Sequence, residues 1–153
     1  MWKRIQRFRK LGGPARGVFL RAAAMLPLIA LSLRLRGFRS TQAFLQRFLS
    51  KPNDPTDVSA FGSANLTARM VRAATRHTLG RTTCLEESLA LWWLLGRQGI
   101  GSDLRVGVRK EREKFEAHAW VERDGTALNE PEAKHLHYAA FDAALASMPP
   151  GSR

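Results

Sequence analysis

Cys84 is the chain's single cysteine, and His118 follows it 34 residues later. A thiol nucleophile and an imidazole base brought from a second element are the parts of covalent acyl chemistry. Thr83-Cys84-Leu85-Glu86 has the Thr-x-x-Glu spacing of a capping box, which predicts a helix with Thr83 as N-cap and Cys84 as its first residue. A sulfur there lies beside unpaired backbone N–H groups and at the positive end of the helix dipole, a setting that favours negative charge. Glu86 and Glu87 would oppose that charge if they turned toward the sulfur, and they are expected to point away. Taken alone, one cysteine on a helix is most often a small buried apolar residue. The capped position, the later histidine and the polar residues beyond it shift the balance toward chemistry.

His118 falls in Phe115 to Glu122, where Phe115, Ala117, Ala119 and Val121 alternate with Glu116, His118, Trp120 and Glu122 as in a strand. Asp124-Gly125 is a two-residue hairpin signal leading into Thr126 to Asn129. With that pair as the loop, Trp120 faces Asn129 and His118 faces Pro131. Asn129 then shares the face of His118 and Glu130 falls on the other, unless a bulge or strand end at Asn129 reverses the choice. Both remain candidates for the group that orients the imidazole.

The elements that must position these residues follow from periodicity. Residues 84–98 are apolar almost all round, which predicts a buried central helix ended by Gly99. Asp103 to Arg109 alternates as a half-buried strand, so the sheet is antiparallel with at least three strands. Upstream, the apolar run from Val18 to Leu35 reads as a core or partner-facing helix. Its least interrupted part, Ala22 to Leu33, is too short to cross a bilayer, and no small-residue cleavage site follows it. Further helices are expected at 40–49, opened by Ser40 or Thr41, at 65–79, and from Pro131 with Leu136, Ala140 and Leu145 on its buried side. Lys51 to Ser63 reads as a loop, and 2–10 as an interfacial helix or a frayed terminus. Arg69, Arg72 and Arg76 form a stripe that reads as a solvated face.

At 153 residues the chain suits one domain, with 1–50 as a basic apolar helical region adjoining a core over 51–153. The net charge of +12 is not spread along it. Residues 1–52 hold 12 Lys or Arg and no acid, so the excess lies wholly in the N-terminal third. That suggests a surface there for contact with an anionic partner, such as membrane lipid, an acidic peptide or a partner protein, rather than a property of the fold. Nucleic-acid binding is disfavoured, because the cations sit beside a long apolar run without the expected motifs. Membrane-surface contact is the lesser alternative. No internal disulfide can form, and nothing points to an oxidising compartment. His135 and His137, two apart, face different ways on a helix, so no metal site is expected.

Cys84-Leu-Glu-Glu-Ser-Leu-Ala-Leu91, Gly99-Ile100, Leu104-Arg-Val-Gly-Val108 and His118-Ala-Trp-Val-Glu122, with Gly125 and Leu128-Asn129, resemble the lasso peptide biosynthesis B2 proteins over roughly residues 65–132. These are leader peptidases with a transglutaminase-like core, and Cys first, His later is the order that papain-like and transglutaminase-like enzymes use. The resemblance implies an α+β fold and a cytoplasmic cysteine protease that removes the leader from a ribosomally made lasso precursor without a cofactor. Cys84 would attack, and His118 would take the proton and return it to the departing amine. The family's acid falls on Glu130, where this chain departs from the usual Asp. Either Glu130 or Asn129 would then orient the imidazole. A separate leader-recognition protein is implied as a partner, and a macrolactam-forming synthetase would act on the freed peptide. The basic N-terminal third would dock one of these or the leader. The alternatives are acyl transfer by the same constellation, as in transglutaminases, and a non-catalytic basic binding module.

Overall fold

The computed structural model describes residues 12–51, 58–78, 80–111, 114–130 and 134–140. They form three helices followed by a four-stranded antiparallel sheet, the α+β arrangement expected from the sequence. The segment 2–10 lies outside the described residues.

Helix α1 (Gly13–Gln46) admits Pro14 in its first turn, where a missing N–H breaks no helical bond. Ala15, Ala22, Leu26 and Ile29 fall on one stripe and are buried. The helix expected to open at Ser40 or Thr41 is present as the second arm of α1, set off from the first by a kink at Gly37 and so beginning slightly earlier. There φ is 74° and ψ is 178°, a conformation that favours glycine. Ser32 Oγ and Thr41 Oγ1, 2.9 Å apart, tie the two arms. With 34 residues, α1 exceeds the apolar run alone. By length and composition it could cross a bilayer, and 17% of its most apolar window is buried.

Helix α2 (Val58–Thr75) begins earlier than its periodicity suggests, taking residues expected to form a loop. Ala60 and Ala64 extend the buried stripe of Ala68, Val71 and Ala74, so packing against α1 and α3 outweighs the weak propensity of Ser59, Gly62 and Ser63. Small side chains on that stripe let the helices approach closely. The chain turns after Thr75, with the His77 N–H donating to the Ala74 carbonyl over 2.9 Å.

Helix α3 (Cys84–Arg97) runs through the centre. Leu89, Leu91 and Leu95 are fully buried, each contributing about 1.5–3 kcal/mol through burial. Trp92 sits in the core, while Trp93 is half-buried under the Arg97 guanidinium, 5.9 Å from its ring centroid. At its C-terminus Gly99 adopts φ 71°. The Ile100 N–H donates to the Leu95 carbonyl over 3.0 Å and the Gly99 N–H to the Gly96 carbonyl over 3.1 Å, a Schellman closure.

The sheet has the order β3 (Thr126–Ala127), β2 (Lys114–Arg123), β1 (Asp103–Glu111), β4 (Ala139–Ala140). Strand β1 (Asp103–Glu111) pairs with β2 (Lys114–Arg123), and Gly107 lies opposite His118. The short β3 (Thr126–Ala127) follows the Asp124-Gly125 turn in the predicted register, with Glu122 opposite Ala127. Leu104, Ala119 and Val121 face the core. Phe115 and Ala117, on the same face, are exposed where the hairpin runs past the helices.

The predicted final helix is not formed at its described positions. Lys134–His137 is a single 3₁₀ turn, and Ala139–Ala140 is strand β4, paired with Gly107 and Val108. Pairing the open edge of β1 wins over helix propensity here. Leu136 is exposed, while Pro131 and Leu145 lie outside the described residues.

Gly107 has no room for a side chain. A Cβ would stand 2.9 Å from the Trp120 ring and 2.9 Å from Tyr138 Cβ, two residues whose rings contact His118. Gly107→Ala should therefore destabilise the fold by about 1–3 kcal/mol. Urea unfolding with an unchanged slope and a lowered midpoint would show it.

Candidate active site

The first turn of α3 is built as its sequence predicts. The Glu86 N–H donates to Thr83 Oγ1 over 3.2 Å, and the Thr83 N–H donates to Glu86 Oε2 over 2.9 Å. This reciprocal cap makes Cys84 the first helical residue, with a half-buried free thiol. Glu86 is thereby turned back onto its own cap.

His118, in the middle of β2, places Nε2 2.6 Å from Glu130 Oε1, both side chains being largely buried. Against an ionised carboxylate, which only accepts, Nε2 is the donor, and in a neutral ring that leaves Nδ1 with its lone pair. Two aromatics contact the ring. Trp120 stacks at 6.1 Å and 20°, and Tyr138 sits at 5.1 Å, tilted by 32°. Tyr138 comes from the segment entering β4. Arg109 stands 4.9 Å from its ring centroid, and its hydroxyl donates to Glu116 Oε2 over 3.4 Å. The two guanidinium bonds from Arg109 hold the exposed Glu116 carboxyl below its ordinary range. Burial raises the pKa of the Tyr138 hydroxyl, with Arg109 opposing the rise and Glu116 adding to it.

Cys84 and His118 are joined through their neighbours. Ser88, one turn beyond Cys84, donates its hydroxyl to the Ala119 carbonyl over 2.9 Å, and Ala119 directly follows His118.

Asn129 is elsewhere. Its Oδ1 accepts the Val121 N–H over 2.9 Å, its Nδ2 donates to Ser88 Oγ over 3.0 Å, and its carbonyl accepts from Arg72 Nη2 over 2.8 Å. The uninterrupted hairpin had put Asn129 on the histidine face and Glu130 on the other. The ladder instead ends after the Leu128 N–H bonds the Val121 carbonyl at 2.8 Å. The Asn129 side chain then replaces the next backbone acceptor, the main chain leaves the sheet, and Glu130 turns to the imidazole. The structure therefore gives the contact with His118 to Glu130.

Glu87 is half-buried in the first turn of α3. It lies within the field of Glu130 and His118. Burial, opposed chiefly by Arg72 and reinforced by Glu130, raises its pKa above the ordinary carboxylate value. Sequence reading missed Ser88, Arg72, Glu87 and Tyr138. Ser88 had a usable signal, because a polar residue inside an apolar helix must find a partner. Arg72 had none, as its stripe looks the same whether solvated or not. An apolar groove lined in part by Ile29, Leu45 and Trp93 involves none of these residues.

A family model described as the transglutaminase-like superfamily matches residues 25–141, more than half of the chain and all of the site residues above. No curated protein and no solved structure matches.

The raised pKa of Glu87 has a definite sign. Its proton is held more tightly in the folded state than in the unfolded one, so stability falls as pH rises from the ordinary carboxylate value through the folded value. Glu87→Gln should remove that loss. Thermal melts should show the variant more stable than wild type at neutral pH, with the difference closing below the ordinary carboxylate pKa.

Proposed function

The chain belongs to the transglutaminase-like superfamily, which includes cysteine proteases and transglutaminases, and from that premise we propose that it is a cysteine peptidase removing the leader from a ribosomally made lasso precursor. The observation that carries the catalytic part is the His118–Glu130 contact on β2, tied through Ser88 to the capped helix start that bears Cys84.

In this reading Cys84 Sγ attacks the scissile carbonyl and His118 Nδ1 takes the thiol proton. The backbone N–H at the start of α3 faces the developing oxyanion. His118 then returns the proton to the departing amine, leaving a thioester on Cys84. Water, deprotonated by the same nitrogen, hydrolyses it and frees the thiol. Glu130 keeps the imidazole in the needed tautomer and stabilises its cation, the role an aspartate fills in Ser-His-Asp triads. No cofactor is required. The lasso assignment rests on the motif run from Cys84 to Asn129. It includes cytoplasmic action, a separate leader-recognition protein as partner, and a macrolactam-forming synthetase that takes the product.

Mass spectrometry of a candidate precursor incubated with the protein, with and without the recognition protein, tests the reading. A core peptide with a new free N-terminus is expected, and a new amide instead would assign acyl transfer. Cys84→Ala and His118→Ala should each lower the rate by about a thousandfold or more. Processing at full rate without the thiol would leave only a binding module. Glu130→Gln should cut kcat by about a hundredfold or more with KM little changed, since it removes charge developed against the transition state.

A further inference from the structure

We propose that Ser88 and Asn129 are positioning residues that lock the sulfur, the imidazole and the carboxylate into register, an inference that rests on the cysteine-peptidase reading above. Neither is assigned contact with the reacting atoms. Each bond they make holds the chain beside one of the reacting groups. Ser88 stands one helical turn from Cys84, the Ala119 carbonyl it bonds adjoins His118, and Asn129 adjoins Glu130. Both are buried, Ser88 fully and Asn129 to within 6% of full burial.

The chain of bonds runs in one direction. Asn129 Nδ2 donates to Ser88 Oγ, which frees the Ser88 proton for the Ala119 carbonyl, while Asn129 Oδ1 takes the Val121 N–H. Only a side chain with a donor and an acceptor on one planar group satisfies both ends. An aspartate would accept from Val121 but could not donate to Ser88, so the Ser88 proton would be drawn from Ala119. Arg72 completes the lock by holding the Asn129 carbonyl from α2. Three separate elements are thus referenced to one amide. A shift of that amide moves the backbone next to the nucleophile, the base and the orienting acid together. A structural role alone would require that polar bonds and apolar packing of similar strength be interchangeable here, and the lock predicts that they are not.

The single cysteine supplies a readout that needs no precursor, because iodoacetamide alkylation reports on Cys84 alone. Alkylation rate and thermal midpoint are measured on the full chain and on His118→Ala, Ser88→Ala, Asn129→Asp and Leu89→Ala. Leu89 neighbours Ser88, is equally buried and takes no part in these bonds. Ser88→Ala and Asn129→Asp should slow alkylation about tenfold or more, toward the His118→Ala rate. Leu89→Ala should lose as much stability and keep a rate near wild type. Should Ser88→Ala fail to fold, Asn129→Asp, which keeps size and shape, decides. The proposal is overturned if the folded lock variants alkylate as fast as wild type, or if Leu89→Ala slows as much as they do. If His118→Ala itself alkylates at the wild-type rate, the lock and the peptidase reading fall together. The expected alkylation pattern supports the lock even where the precursor is not cleaved, and that failure would count against the substrate assignment alone.

Discussion

The amide side chain of Asn129 carries the constraint on which the rest of the site depends. Leaving one buried polar group unpaired costs about 1–3 kcal/mol, so a network of several such groups is favourable only when every member is satisfied. At the junction of α3, β2 and the chain beyond β3, the Val121 N–H, the Ala119 carbonyl, the Ser88 hydroxyl and both ends of the amide meet that condition. Leucines supply the adhesion around it but accept many small offsets. The polar bonds accept few, and so they determine which face of the hairpin meets which turn of the helix.

Charge is arranged around this junction with the same economy. Two adjacent acids on α3 have different fates. Glu86 is spent on the cap, while Glu87 is carried into the region of Glu130, where Arg72 offsets part of its burial. The cations that dominate the N-terminal third lie on a different part of the chain from the histidine and its acid. The net charge therefore says little about the environment in which the chemistry would occur.

Much of the arrangement was legible from residue patterns. The capping box and Gly99 marked both ends of α3 because caps are local and depend on a few neighbouring side chains. The Asp-Gly turn and strict alternation gave the β2–β3 register correctly through Leu128. What failed was non-local. Nothing within a few residues of Asn129 announces that its side chain will take the place of a backbone acceptor, and that substitution decides between the two candidates left open for the histidine's partner. The start of α2 depended on alanines packing against helices distant in sequence. Strand β4 depended on an edge of β1 that no local pattern reveals.

The Val121 amide has an unusual custodian. Its hydrogen is held by a side chain from beyond the hairpin, where a ladder would offer a neighbouring carbonyl. Its exchange with solvent deuterium therefore follows the unseating of one amide group as well as the fraying of a strand. This makes the backbone at 121 a spectator from which excursions of the whole junction can be timed in the resting protein, with no reaction under way.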